Sequence, residues 1–445
     1  MLEENIVKKL LNKIMELDCL YLIILFLWVI ITCPLMLNHT PWFDEAHAWM
    51  LAKFMNINNW VDILREEGHP IIWFLILKPF TNLDNLYPYP MLLINYMFCF
   101  LSLTVLWKKA PFSPILKCLI TFSPLFLYYF PIIARNYSIG ILGLFLLSAL
   151  YKDQLRNPVL YSTIIGITLN TSVMCGIGAS WFGIIFFINL IKDNIKKKEN
   201  LLSFGILLFF VTFFLFPYIG GYGNASTAHF ASPSLNNLTN FFIKDPILLV
   251  LYLLLLAYVL LKKDWHSKTF VIYTTGCFLI LFKFFYAGYN HHYIYLFLYL
   301  LIPFWISKKV EQGWKQNLIH IVTALILLYP FDIRMPSNYF WDYYYVKPLI
   351  NYLKTNKDIK KEKVYIQTGL YPLIPYFYGN NLYEYCDKEQ IDWKTSLYCS
   401  EENKQKKILS REDSKFYVLT NEKSAEMNLV FSYKDINLYQ SKNAR

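Results

Sequence analysis

The sequence predicts an all-α polytopic membrane bundle of about eleven transmembrane helices, with a small outward-facing C-terminal α/β domain. Three observations predict it. Of 445 residues, 56% are hydrophobic and only 16% charged, a balance outside that of water-soluble domains. Apolar stretches of about 15 to 20 residues recur between Leu20 and Leu328, with short polar or basic clusters between them. Aromatic residues reach 19%, and many Tyr and Trp stand near the ends of the apolar runs, where amphipathic rings favour the headgroup region.

Taken in order, the spans fall at 19–37, 88–107, 114–131, 136–151, 158–174, 176–191, 201–219, 246–261, 269–287, 292–307 and 317–330. The first follows Lys8, Lys9 and Lys13 and lacks a small-x-small cleavage pattern, so it reads as a retained signal anchor. Every second connection is basic: Lys108, Lys109 and Lys117; Lys152 and Arg156; Lys192 and Lys196 to Lys198; Lys262, Lys263 and Lys268; Lys308, Lys309 and Lys315. The positive-inside rule then places the N-terminus inside, and an odd number of crossings places the tail outside. Residues 1–330 form the transmembrane domain, with juxtamembrane helices in the first outer loop, 38–87, and residues 331–445 form the extracytoplasmic domain. In that tail an amphipathic segment at Val346 to Leu353, short β-rich runs at Val364 to Gln367 and Phe416 to Leu419, and a final run from Leu429 to Tyr439 predict a modest α/β unit.

The net charge of +11 fits this topology and excludes a nucleic-acid partner, because no basic stripe with interleaved aromatics accompanies the cations. Of eight cysteines, six lie in or beside apolar runs, where a thiol acts as a small hydrophobe, and Cys386 and Cys399 are the pair suited to a disulfide.

The first outer loop concentrates chemistry. It reads Asn38-His39-Thr40-Pro41-Trp42-Phe43-Asp44-Glu45-Ala46-His47, and later Glu66-Glu67-Gly68-His69-Pro70. Adjacent carboxylates just after a membrane helix are partly desolvated unless a cation or hydrogen-bond donor compensates, which suits general-base or metal-ligand work. The plainer alternative is a helix over Ala46 to Phe54 that Asp44 caps and whose first turn holds Glu45. Asp44, His47 and His69 also compose a candidate divalent-metal set, although their spacing is not diagnostic. His69-Pro70 starts a short helix lying on the membrane, since Pro is tolerated in a first turn.

Two cations face the same side. Arg135, in Ala134-Arg135-Asn136-Tyr137, opens the fourth span at its outer end, and a guanidinium beside a helix N-terminus suits a phosphate; a snorkelling Arg is the alternative. Lys283, in Phe282-Lys283-Phe284-Phe285-Tyr286, precedes Asn290-His291-His292-Tyr293; it pairs with a carboxylate, meets a lipid phosphate or snorkels. The outer segment from Gly220 to Asn240, rich in Gly, Ser, Thr and Asn, reads either as a lid or as a plain loop.

Together these motifs resemble the polytopic glycosyltransferases of the C-type fold, in particular the bacterial branch related to protein O-mannosyltransferases and lipid A aminoarabinose transferases. The matching residues are Phe43-Asp44-Glu45-Ala46 soon after the first helix, His69-Pro70 at a juxtamembrane helix, and Ala134-Arg135-Asn136-Tyr137 opening a later one. Their order carries the resemblance. Where members carry a basic residue before a Tyr in a late helix, this chain has Asn290-His291-His292-Tyr293. The resemblance implies a multi-pass enzyme of a bacterial cytoplasmic membrane that takes a sugar from a polyprenyl-phosphate donor to an extracytoplasmic glycan, lipid or protein acceptor with inversion. It implies Asp44 as general base, Glu45 and His69 in support, and Arg135, Lys283 and His292 at the donor phosphate; a divalent metal is left open. Two other readings remain: a transporter or lipid flippase, which calls for internal repeats and broken helices with intramembrane charges, and a noncatalytic envelope-polysaccharide assembly protein.

Overall fold

The computed structural model describes residues 17–41, 43–67, 69–83, 86–218, 234–286, 288, 290–307, 347–356, 359, 362–366, 381–384, 415–420, 423–424, 427–433 and 436–442. The eleventh expected span, most of the Gly220 to Asn240 loop, and Cys386 and Cys399 lie outside them. Two compact units divide the chain. One comprises Met1–Asn38, Leu64–Trp73 and Leu92–Tyr339; the other comprises His39–Ile63, Phe74–Met91 and Phe340–Arg445.

In chain order the helices are α1 (Leu17–Asn38), α2 (Phe43–Phe54), α3 (Trp60–Glu67), α4 (Ile72–Leu77), α5 (Tyr89–Lys109), α6 (Pro114–Thr121), α7 (Tyr137–Leu150), α8 (Pro158–Leu169), α9 (Val173–Lys192), α10 (Lys198–Leu215), α11 (Asn236–Lys244), α12 (Pro246–Lys262), α13 (Trp265–Phe284), α14 (Asn290–Ile306) and α15 (Lys347–Thr355). Among the described residues five of them, α1, α5, α9, α10 and α13, are long and apolar enough to cross a membrane, and two bent pairs raise the number to seven if each is one span. Such a set is compatible with a multi-pass membrane protein. Large apolar side chains stand exposed on these helices, Phe26 at 65% on α1 and Phe209 at 61% on α10 among them, and lipid is the solvent that suits such faces.

The expected third span is bent by 53° between α6 and the segment Leu125–Ile132. Pro124 is the cause: it has no N–H for the carbonyl of Ile120, and the Ser123 hydroxyl donates to that oxygen instead, at 2.7 Å. Beyond it the chain widens into a π turn over Leu125–Tyr129, closed by Phe130 N–H to Leu125 O, ahead of a second proline, Pro131. The expected eighth span, α12, is preceded by α11 at an angle of 104°; Asp245 sits between them outside the helical region, which its neighbour Pro246 disfavours. The expected fourth and fifth spans, α7 and α8, hold 14 and 12 residues, shorter than a straight crossing needs.

Close packing within the first unit uses small residues. A methyl group added to Gly143 of α7 would overlap Thr168 of α8, and one added to Gly140 would overlap Cys175 of α9. Tyr299 of α14 donates its hydroxyl to the Met174 carbonyl at 2.5 Å and accepts from Gly178 N–H at 3.0 Å, which fixes α14 to the first turns of α9. On α1, Trp28 donates to the Phe126 carbonyl at 2.6 Å and stacks on Tyr96 with ring centroids 4.9 Å apart.

In the second unit the tail forms a mixed five-stranded sheet in the order β2-β1-β3-β5-β4, with β1 Lys363–Ile366, β2 Asn381–Glu384, β3 Phe416–Thr420, β4 Asn428–Tyr433 and β5 Ile436–Gln440. β1 runs parallel to β2 and β3, and β5 antiparallel to β3 and β4. Tyr365, Phe416, Val418, Met427 and Tyr439 build its apolar core, and α15 lays Tyr352 on Phe431, ring centroids 4.3 Å apart. The final run expected from Leu429 to Tyr439 is thus a hairpin of two strands.

Candidate functional site

The first cluster lies in the second unit. α2 begins at Phe43, so Asp44 and Glu45 both occupy its first turn and Asp44 is not the residue preceding the helix. Negative charge there meets the unpaired N–H groups of the helix start. The two carboxylates differ sharply in setting. Glu45 is fully buried and its Oε2 accepts from His39 Nε2 at 2.8 Å, whereas Asp44 and His47 are half-buried. Buried on the other faces of α2 are Ala46, Ala48, Trp49, Met50 and Leu51, and Trp49 packs on Tyr87 at 5.2 Å. The helix is closed at its far end by Lys78, whose ammonium donates to the Lys53 carbonyl at 2.7 Å; burial holds the Lys78 pKa below its ordinary value.

The second cluster lies in the first unit and centres on Arg135. The chain leaves the π turn through Ile133, which is extended, and turns tightly, Arg135 N–H donating to the Ile133 carbonyl at 2.9 Å. Asn95 of α5 braces this segment: its Nδ2 reaches the carbonyls of Phe130, Pro131 and Ile133 at 2.7, 3.2 and 3.2 Å. Arg135 is 5% exposed, and its Nη2 donates to His69 Nε2 at 3.0 Å. A guanidinium only donates, so His69 presents its lone pair at Nε2 and carries its proton on Nδ1. Asn136 follows, with its Nδ2 on the Thr171 carbonyl at 2.8 Å and no side-chain cap on the start of α7. A buried guanidinium thus stands beside an uncapped helix start, an arrangement that suits an anion.

His69 itself precedes the juxtamembrane helix, which starts at Ile72 rather than at His69-Pro70; Ile72 N–H donates to the Asn170 carbonyl at 3.2 Å. Lys283 is exposed in the last turn of α13, its ammonium 5.2 Å from the centre of the Phe284 ring, a cation–π contact. His292, in the first turn of α14, is 5% exposed and meets the Tyr286 hydroxyl through Nδ1 at 3.5 Å. Of the expected site residues, then, His69 and Arg135 are joined directly, and Glu45 is joined to His39. Among the described residues no three His, Cys, Asp or Glu side chains are grouped to hold a metal ion, Asp44, His47 and His69 included.

Sequence reasoning did not single out His39, Asn95 or Asn136. Only the Asn38-His39 step directly after an apolar run hinted at the first, and an asparagine inside an apolar helix, whose amide must find a partner, could have revealed Asn95. No protein-family model, curated protein or solved structure matches the chain.

Proposed function

We propose that the chain is a membrane glycosyltransferase that moves a sugar from a polyprenyl-phosphate donor to an extracytoplasmic glycan, lipid or protein, with inversion. The observation that carries the reading is the part-buried His69–Arg135 contact, which joins two motifs 66 residues apart at an uncapped helix start. In this reading Arg135 meets the donor phosphate and stabilises it as negative charge develops on departure, a contact typically worth about 3 to 4 kcal/mol of barrier. Asp44, the more accessible of the two adjacent carboxylates, takes the proton of the acceptor hydroxyl as that oxygen attacks the anomeric carbon. Glu45, held by His39, orients the helix start that presents Asp44; Lys283 and His292 serve the donor's phosphate from the late helices. Topology completes the picture: eleven crossings, the N-terminus inside, and the tail domain outside with the chemistry.

The test is transfer from radiolabelled lipid-linked sugar by purified Asp44→Asn and Arg135→Ala variants. The reading expects each to lose transfer by about 100-fold or more, and wild-type transfer by Asp44→Asn ends the general-base role.

A second reading has an observation of its own. The bends of 53° and 104° are broken helices of the kind transporters use, and Lys117, 4% exposed, lies in the first bent pair. A flippase moves lipid between leaflets without cleaving it, which separates the two readings experimentally.

A further inference from the structure

Where the expected third span breaks, helix geometry leaves carbonyls without their helical partners, and side chains from three helices take them up. In a π turn the Phe126 carbonyl would accept from residue 131, but that residue is proline and has no N–H. The Trp28 indole of α1 donates to it instead, at 2.6 Å. The helical segment then ends at Ile132, and the extended Ile133 leaves its last carbonyls to other donors. The Ser138 hydroxyl of α7 donates to the Phe130 oxygen at 2.6 Å, and the Asn95 amide of α5 donates to the oxygens of Phe130, Pro131 and Ile133. Buried carbonyls left unmet cost free energy, so each of these contacts opposes movement of the segment that leads into Arg135.

One of these oxygens links the brace to the arginine. Ile133 O accepts both from Asn95 Nδ2, at 3.2 Å, and from Arg135 N–H, at 2.9 Å, so the atom that closes the tight turn before Arg135 is itself tied to α5. Asn95 is fully buried, and three carbonyl acceptors require its NH2 group, not its oxygen, to face them. We propose that Asn95 is a positioning residue that sets where Arg135 stands, acting through the Ile133 carbonyl and not by touching a ligand. An arginine whose backbone is fixed before an anion arrives loses less freedom on binding it. The proposal rests on the reading of Arg135 as the phosphate-facing cation, and it adds the residue that holds that cation in place.

The experiment is a double-mutant cycle on the full-length chain in lipid nanodiscs, with farnesyl phosphate as the probe and the melting temperature recorded for each variant. Arg135→Ala is expected to weaken binding about 30-fold, and Asn95→Leu, which keeps size and removes the donors, about fivefold. In the Arg135→Ala background Asn95→Leu is expected to change affinity by less than about twofold, because a residue that acts through Arg135 then has nothing to position. A merely structural residue would lower the melting temperature in both backgrounds and leave the affinity of the folded protein unmoved. Asn95→Ser, which retains one donor, replaces Asn95→Leu if the latter does not fold and is expected to lose about threefold. Hydrogen exchange tests wild type without any variant: the Arg135 amide is expected to be protected about 100-fold or more, and an unprotected amide overturns the proposal. Wild-type affinity in a folded Asn95 variant while Arg135→Ala loses binding, or a full further loss in the Arg135→Ala background, overturns the positioning role and leaves the phosphate reading standing. Undiminished binding by Arg135→Ala, or no binding by wild type, overturns both.

Discussion

Glu45 and Asp44 are neighbours in one helical turn with opposite fates, one sealed against His39 and one partly open. The buried member carries stability. His39→Leu leaves a buried carboxylate without that partner and is expected to destabilise the protein by roughly 3 to 5 kcal/mol, read as a fall in melting temperature, with much of the loss recovered when Glu45→Gln is added. Asp44→Asn keeps shape and hydrogen-bonding size, so its melting temperature stays near that of wild type while transfer is lost; a comparable loss of stability would make Asp44 structural. Residue chemistry was legible in the sequence where types are unusual for their setting, as with carboxylates after an apolar run or an arginine at the start of one. The partners were not, because His69 and Arg135 are brought together by folding across 66 positions and no spacing records such a contact.

At the scale of elements, apolar length marked most helices, whereas their continuity was hidden. The run 114–131 is uniformly apolar, yet the missing N–H of Pro124 breaks it at Ser123, a backbone effect to which hydropathy is blind. The sheet strands at Val364 and Phe416 follow from β-branched and aromatic runs, and the division of the last run into β4 and β5 carries no such signal. Glycine matters where α7 meets α8. Gly143→Val drives a branched side chain into Thr168 and is expected to cost about 1 to 3 kcal/mol, measured by thermal unfolding in detergent, whereas Gly205, with no atom near its missing side chain, tolerates alanine.

The whole molecule is read as a set of crossings whose alternate loops are basic. A membrane-impermeant thiol reagent is expected to label Asn237→Cys, exposed on α11, from outside intact cells, and Lys196→Cys, exposed between α9 and α10, only after permeabilisation. The reverse pattern inverts the proposed topology and takes the proposed catalytic cluster off the outer face. The central claim is that the chain transfers sugar and does not merely carry lipid. Its most direct measurement follows a doubly labelled lipid-linked sugar, one label on the prenyl chain and one on the sugar, in vesicles holding the purified protein and an acceptor extract. The account predicts that the labels part company, the sugar label passing to acceptor, and that Asp44→Asn and Arg135→Ala abolish the separation. Labels that cross the bilayer together, at the same rate in wild type and in Asp44→Asn, would contradict it.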